Sequence, residues 1–126
     1  MEIFDQVRGI LGELLDLEAD DIGPESYLVR DLGVESIDFL ELAVALNDRF
    51  QVPVHDDTLF LRNLRLYLAE AGESCLATVT YLAGRYDFLS LDRLREMVAD
   101  LDGGPVLKVK DVVSYIQRQL QTAKAA

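Results

Sequence analysis

Apolar residues recur along most of the chain at steps of three and four, the spacing of one face of an α-helix. Similar series predict helices over about 2–15, 36–50, 59–71, 74–86, 90–101 and 108–121. Pro53 prevents extension of the second helix, and Gly103-Gly104-Pro105 separates the last two. Since no segment alternates convincingly with a period of two residues, the sequence predicts an all-α fold.

A long loop, from about residue 18 to residue 35, joins the first two predicted helices. Gly23-Pro24 and Leu32-Gly33 punctuate it. Loops of this length in small domains are usually functional or tied down. Four residues are expected to pin it onto the core: Ile22, Tyr27, Leu28 and Leu32.

The second predicted helix carries two apolar stripes when its residues are placed at 100° per step. The first stripe is expected to face the core and consists of Phe39, Leu42, Ala43, Leu46 and Phe50. The second lies on the other side of Ser36 and consists of Ile37, Leu40 and Val44. Two interpretations are open: both stripes are buried in a larger core, or the second is exposed for a partner.

Charge is unevenly distributed along the 126 residues, which have a net charge of −11. Residues 1–54 contain 13 acids and 3 bases, whereas residues 55–126 contain 10 acids and 9 bases. An acidic half argues against nucleic-acid binding, which needs clustered Lys and Arg. It suits a partner with a basic surface, although a solvated acidic face without a partner is an equally open interpretation.

The cellular setting follows from what the chain lacks. A single cysteine excludes an internal disulfide framework and fits a reducing compartment. No signal peptide opens the chain and no apolar run is long enough to cross a bilayer, so we expect a cytoplasmic protein without membrane insertion. Cys75 is expected to be a small buried hydrophobe.

Ser36 stands at the start of the second predicted helix, directly after a glycine turn. The ordinary interpretation is a helix cap that accepts a backbone N–H bond. The alternative is an attachment point, because a phosphate on this oxygen would lie at the positive end of the helix dipole. The sequence shows no catalytic histidine or cysteine arrangement and no metal-ligand spacing, so we expect no enzyme activity and no metal site.

The octapeptide Asp31-Leu32-Gly33-Val34-Glu35-Ser36-Ile37-Asp38 resembles the serine motif of the acyl carrier protein family. The resemblance covers about residues 2–54, including Ile22, Pro24, Ser26 and Leu28 of the loop, and resumes over residues 109–116. It implies a four-helix bundle that carries 4′-phosphopantetheine as a phosphodiester on Ser36. A phosphopantetheinyl transferase would install the group from coenzyme A with magnesium, and its thiol would hold an acyl group as a thioester.

The resemblance also implies a docking surface on the second helix. By position, Ile37, Leu40 and Val44 match an apolar docking patch, and the acids that basic partners read are matched by Glu35, Asp38, Glu41 and Asp48. The partners would be the transferase, acyl synthases or ketosynthases, and acyltransferases, and we expect a monomer. The chain departs from the family pattern at Glu35, where an aspartate is usual, and at Asn47 and Arg49, where acids are common.

The largest departure from the family is an insertion before the last helix. We divide one acyl-carrier-like domain, 1–126, into a carrier core (1–54), an enlarged helical insert (55–107), the last bundle helix (108–122) and a tail (123–126). The predicted fold is thus an acyl-carrier-like four-helix bundle with about two additional helices inserted between helix two and the last helix. The insert could widen or cover an acyl cavity, dock a dedicated partner or only stabilise the fold. Its arginines could contact the acidic half or the prosthetic phosphate: Arg62, Arg65, Arg85, Arg93 and Arg95.

Two functional classes remain after this reasoning. The first is an acyl carrier protein, in which acyl loading fits the acidic first half better than aminoacyl or peptidyl loading does. A specialised lipid or polyketide pathway is favoured over primary fatty acid biosynthesis, because an insert would burden a carrier that serves many enzymes. The second is an unmodified helical interaction module that has kept the carrier shape.

Overall fold

The protein is all-α, as predicted. The computed structural model describes residues 2–72 and 75–125, and for residues 75–77 and 124–125 it describes the backbone alone. Its helices are α1 (Ile3–Leu15), α2 (Ser36–Phe50), α3 (Asp56–Leu59), α4 (Leu64–Ala71), α5 (Cys75–Arg85), α6 (Leu91–Ala99) and α7 (Val109–Ala125). Short 3₁₀ turns cover Ala19–Asp21 and Leu101–Gly103. These described residues contain no strand, and Tyr27 and Lys108 form an isolated antiparallel bridge.

The helices pack as two groups that share one hydrophobic cluster. Helix α1 packs against α2 and α7, while α5 packs against α4 and α6. The buried cluster includes Leu11 and Leu46 of the first group together with Leu82 and Leu94 of the second. The fold is therefore an all-α bundle with extra helices, and those helices contribute to the same core as the first two.

The helix predicted over residues 59–71 is divided in the structure. Helix α3 ends at Leu59 and α4 begins at Leu64, because Leu61 adopts a left-handed backbone conformation with φ of 57°. This conformation costs roughly 1–2 kcal/mol for a residue with a branched side chain. The Leu61 side chain is 8% exposed, so its burial in the core offsets that cost.

The remaining helix boundaries follow the sequence closely. The Arg93 N–H donates a hydrogen bond of 3.0 Å to the Ser90 Oγ, which confirms Ser90 as the cap of α6. Helix α7 is longer than predicted and runs to Ala125. Ile22 and Leu28 of the long loop are buried, and Tyr27 and Leu32 are partly buried, as expected. The expectation for Cys75 concerns a side chain outside the described ones.

A buried ion pair joins the extra helices to α7. Arg93 of α6 and Asp111 of α7 form two hydrogen bonds of 2.8 and 2.9 Å, and their side chains are 8% and 1% exposed. The same guanidinium donates to the Val106 carbonyl at 2.7 Å. Burial alone would lower the pKa of Arg93, but the hydrogen bonds and charges of Asp111 and Glu96 together outweigh burial and the pKa is raised. Arg93 therefore stays charged, and the pair fixes α6 to the start of α7.

Two buried tyrosines differ in whether their hydroxyl groups are satisfied. The Tyr115 hydroxyl accepts a hydrogen bond from the His55 N–H at 2.8 Å and another from the Gln119 amide at 3.1 Å. The Tyr86 hydroxyl is buried and has no hydrogen-bond partner among the described residues. Burial raises the pKa of both phenols, so both remain neutral.

We expect Arg93→Met to lower the free energy of unfolding by about 3–5 kcal/mol, because it leaves the Asp111 carboxylate buried without its cation. Urea unfolding followed by circular dichroism measures this loss. The matched control is Arg95→Met on the same helix, whose pair with Asp92 is largely exposed and is worth at most about 1 kcal/mol. Equal losses in the two variants would contradict a structural role for the buried pair.

We expect Tyr86→Phe to raise the free energy of unfolding by about 1 kcal/mol, because it removes a buried hydroxyl that has lost water without gaining a partner. Tyr115→Phe should lower the free energy of unfolding, since it removes the acceptor of the His55 N–H. Thermal unfolding measures both, and the gain for Tyr86→Phe corresponds to a rise in Tm of roughly 3–5 °C. A loss of stability in Tyr86→Phe as large as that in Tyr115→Phe would show that the Tyr86 hydroxyl is satisfied in solution.

Candidate functional site

The loop before α2 is held in place by the segment before α7. The Leu28 N–H donates to the Leu107 carbonyl at 3.0 Å, and the Val109 N–H donates to the Ser26 carbonyl at 3.0 Å. Gly33 has φ of 70°, a left-handed conformation that glycine adopts without strain. The next residue, Val34, is 4% exposed and anchors the chain in the core. The start of α2 is thereby fixed while its first residues face outward.

Ser36 is the first residue of α2, and its side chain is exposed. The cap residue is Glu35, whose N–H donates to the Asp38 Oδ2 at 2.9 Å. The Ser36 hydroxyl makes no hydrogen bond to any described residue. The interpretation of Ser36 as the helix cap is therefore wrong, because the neighbouring glutamate occupies the cap position and leaves the serine oxygen available.

A small groove of about 240 Å³ opens beside the serine. Its lining residues are Ser36, Phe39, Phe60 and Arg62. The two phenylalanine rings are 4.7 Å apart and tilted by 49°, so they form an apolar wall next to the hydroxyl. Phe60 and Arg62 come from the turn between α3 and α4, which is far from Ser36 in sequence.

Arg62 brings a positive charge to a serine whose own helix start has none. Its guanidinium lies 3.3 Å from Asp56 and 3.9 Å from Asp57, and its side chain is 46% exposed. These exposed pairs are worth little and can rearrange. Among the insert arginines considered in the sequence, Arg62 is the one that lines the serine groove in the described structure.

The other four insert arginines are placed elsewhere. Arg65 lines a separate groove, Arg93 binds Asp111, and Arg95 pairs with Asp92. The Arg85 guanidinium lies 5.1 Å from the Tyr67 ring centroid and 5.2 Å from that of Tyr81. In the described structure, these four arginines therefore form no hydrogen bond or ion pair with the acidic first half.

The second stripe of α2 is exposed, so the interpretation that it is buried in a larger core is wrong. Ile37 is 62% exposed, Leu40 54% and Val44 70%. We call these three residues the helix-two patch. A shallow depression beside it is lined by Leu40, Val44 and Ala45 with Glu41, Asn47 and Asp48. Exposed apolar side chains grouped on one helix and rimmed by carboxylates are typical of an interaction surface.

The four acids predicted for the docking surface have different surroundings. Glu35, Glu41 and Asp48 are exposed, whereas Asp38 is partly buried and uses one oxygen to bind the Glu35 N–H. Asp38 thus shapes the start of α2 in addition to contributing charge. The sequence did not indicate this difference, because capping depends on local backbone geometry.

Two residues that depart from the family pattern make structural contacts. The Asn47 amide donates to the Val52 carbonyl at 2.7 Å, which ties the end of α2 to the following turn. The Arg49 Nε donates to the Gln6 Oε1 at 2.9 Å, which links α2 to α1. Both side chains therefore bind other parts of the fold.

A second set of contacts links the loop before Ser36 to the end of the insert. Arg30 donates to both Asp100 carboxylate oxygens, at 3.1 and 3.0 Å, and to the Gly104 carbonyl at 2.7 Å. The Tyr27 hydroxyl donates to Asp100 as well. The Tyr27 hydrogen bond and then Arg30 lower the pKa of Asp100, so its carboxylate remains ionised and holds the two segments together. Sequence reasoning missed this cluster, since its members are about 70 residues apart.

Within the described part of the chain there is neither a metal-binding cluster nor a membrane-spanning helix. The described residues contain no group of three or more His, Cys, Asp or Glu side chains placed to hold a metal ion. Within the same part of the chain, every helix is too short or too polar to cross a bilayer.

Known proteins match the part of the chain that forms this site. Residues 5–66 match the family model described as the phosphopantetheine attachment site. The chain is 39% identical over 56 residues to the acyl carrier protein of Picosynechococcus sp., a stretch that covers 44% of this chain and 69% of that protein. It is 39% identical over 56 residues to the acyl carrier protein of Campylobacter jejuni subsp. doylei, covering 44% and 73%. With the Helicobacter pylori acyl carrier protein it shares 33% identity over 57 residues, covering 45% and 73%.

No solved structure gives a significant match to this chain. The family model ends at residue 66, so most of α4 and all of α5, α6 and α7 lie beyond it. The matched region includes Ser36, the loop that positions it and the helix-two patch. On this evidence, the chain belongs to the acyl carrier protein family, and its matched domain is the family's phosphopantetheine attachment site.

Proposed function

We propose that this protein carries acyl intermediates as thioesters on a 4′-phosphopantetheine arm attached to Ser36 and presents them to partner enzymes. The observation that carries the proposal is the Ser36 hydroxyl, which is exposed at the first position of α2 and has no hydrogen-bond partner among the described residues. The arm supplies a terminal thiol that holds the acyl group. The residues of the chain present the serine, bind the arm and dock the partners.

The surroundings of Ser36 suit a covalently bound phosphate. The N-terminus of a helix favours an anion through its free N–H groups and its dipole. Arg62 lines the groove beside the serine and can pair with a phosphate oxygen in place of its exposed aspartates. The residues present therefore fit a phosphodiester on this oxygen.

The serine needs an external enzyme to be modified. His55, the chain's one histidine, is exposed at the start of α3 and is not among the residues that line the serine groove. A transferase with its own base would remove the serine proton, the new bond would join the Ser36 oxygen to phosphorus, and the nucleotide half of coenzyme A would leave. Ser36 thus acts as the acceptor, and the chain itself is not the catalyst.

The helix-two patch is our candidate for the surface that partners contact. Exposed acids attract a basic partner over a long range, and the apolar side chains between them supply the close contact. Ile37, Leu40 and Val44 are more than half exposed, so they are accessible without unfolding. Partners would be the transferase, acyl synthases or ketosynthases, and acyltransferases.

We further propose that the chain divides into a carrier core (1–54), an insert (55–107), a last helix (108–122) and a tail (123–126).

We also propose that the protein serves a specialised lipid or polyketide pathway. Asn47 and Arg49 are bound to the fold at positions where acids are common in the family. Partners that read those acids would bind less well, which favours a carrier dedicated to few enzymes. The alternative function is an unmodified interaction module, and attachment of the arm separates the two.

We expect incubation with coenzyme A, magnesium and a broad-specificity phosphopantetheinyl transferase to add the mass of one phosphopantetheine to the protein. The same treatment of Ser36→Ala should add nothing, because that variant lacks the acceptor oxygen. Intact-protein mass spectrometry measures both. An unmodified parent protein would support the interaction module, provided that Glu35→Asp, which restores the usual residue, is also unmodified.

We expect Val44→Gln to lower kcat/KM of the transferase for this protein by about 5–30-fold, equivalent to roughly 1–2 kcal/mol lost from a contact residue. The matched control is Leu66→Gln, which removes a leucine that is 55% exposed and belongs to α4 instead of α2. Initial rates of arm attachment at several protein concentrations measure the effect. If both variants behave as the parent does, the transferase does not bind through the helix-two patch.

A further inference from the structure

A groove on the insert lies beside the turn between α3 and α4. Its volume is about 410 Å³, which is within the range of binding clefts. We call it the insert groove, and its apolar lining consists of Leu61, Leu64, Leu68, Leu101, Pro105 and Val106. The last four of these residues lie beyond the region that matches the family model. Membership of the family therefore does not account for this groove.

The insert groove has a buried floor and an ordered wall. Leu61 and Val106 are 8% and 3% exposed, so they form the floor. Arg93 donates to the Val106 carbonyl and Arg30 donates to the Gly104 carbonyl, each at 2.7 Å. Because these contacts already hold the wall, a ligand does not have to order it on binding.

The rim of the insert groove is positively charged. Arg62 and Arg65 belong to its lining, which includes no acid among the described residues. Arg62 is paired with Asp56 and Asp57, whereas Arg65 forms no hydrogen bond or ion pair with any described residue. Since Arg65 is also exposed, its guanidinium is free to bind an anionic group beside the apolar floor.

The depression beside the helix-two patch has the opposite charge. Its described lining includes Glu41 and Asp48 and contains no Lys or Arg. No described residue lines both this depression and the insert groove. A basic surface that complements the depression is repelled by the rim of the insert groove, so the two surfaces require partners of opposite charge.

We propose that the insert groove docks an acidic amphipathic segment of a second partner protein. The segment places apolar side chains against Leu64, Leu68 and Leu101 and a carboxylate against Arg65. Charge complementarity selects this occupant, because the apolar lining requires a hydrophobic surface and the unpaired guanidinium requires an anion beside it. This docking does not involve Ser36 and goes beyond the carriage of acyl groups.

A protein segment suits the insert groove better than an anionic membrane surface does. Residues 1–54 contain 13 acids and 3 bases, and anionic lipid headgroups repel that excess of negative charge. The floor residues Leu61 and Val106 lie in a recess that a single side chain can enter and a bilayer surface cannot.

The test uses two synthetic helical peptides, one with leucines along one face flanked by glutamates and one with lysines in place of the glutamates. Methyl NMR of the unmodified protein shows where each peptide binds. We expect the glutamate peptide to shift the signals of Leu64, Leu68, Leu101 and Val106 with a Kd of about 0.1–1 mM, because the contact is small. The lysine peptide should shift the signals of the helix-two patch instead. Ser36→Ala should bind both peptides as the parent does.

Arg65→Glu tests the charge of the rim. We expect it to weaken binding of the glutamate peptide about tenfold or more, because one exposed ion pair is lost and a repulsion of similar size replaces it. The matched control is Arg95→Glu on α6, which makes the same change in net charge outside the groove lining and should leave the Kd unchanged. Salt at about 1 M should weaken binding to the parent and not to Arg65→Glu. Circular dichroism verifies that both variants are folded.

Three peptide results would overturn the proposal. These are glutamate-peptide shifts that are absent or fall on the helix-two patch, equal binding of both peptides to the insert groove, and an unchanged Kd in folded Arg65→Glu. Co-sedimentation with phosphatidylglycerol vesicles that is lost in Arg65→Glu would overturn it as well, because it would identify a membrane surface. If Arg65→Glu does not fold, the comparison of the two peptides on the parent protein decides the question. Attachment of the arm to Ser36 is measured separately by intact mass, so this proposal can fail while the carrier function stands.

Discussion

The buried pair of Arg93 and Asp111 is the interaction on which the arrangement of the insert depends. Burying two charges is costly, and these two side chains are at most 8% exposed. Here both charged groups have hydrogen-bond partners. The guanidinium binds Asp111 and the Val106 carbonyl, and the carboxylate also accepts the Lys108 N–H at 2.8 Å. Because a misplaced charge would lack these partners, the pair permits one docking of α6 on α7 and rejects others.

The same pair positions the candidate site indirectly. The pair fixes residues 106–111, to which the loop before α2 is hydrogen-bonded. The Leu28 N–H donates to the Leu107 carbonyl, and the Val109 N–H donates to the Ser26 carbonyl. Arg30 then joins that loop to Gly104. One connected group of contacts thus joins the loop before Ser36 to residues 104–111.

The sequence predicted those features that depend on local spacing. The division of α2 into two apolar stripes followed from helical periodicity, whereas the sequence left open whether the second stripe, which includes Ile37, is exposed. Ser90 was recognisable as a cap from its place before an apolar series. The sequence did not predict that Glu35 caps α2 in place of Ser36, because serine is among the residues preferred at a helix cap and glutamate is not. Nor did it predict the break at Leu61 or the choice of Asp111 as partner of Arg93, since both are determined by packing between segments far apart in the chain.

The insert arginines pair mostly within the second half of the chain, although the two halves share a core. Most of the described insert arginines are occupied by partners within residues 55–126: Arg93 by Asp111, Arg95 by Asp92 and Arg85 by the tyrosines of α4 and α5. Cations used in this way do not neutralise the first half, which keeps its excess of 13 acids over 3 bases. The helix-two patch therefore remains in a negative field. Arg62 also pairs with Asp56 and Asp57, but it lines the serine groove as well, the place where a bound phosphate would need a cation.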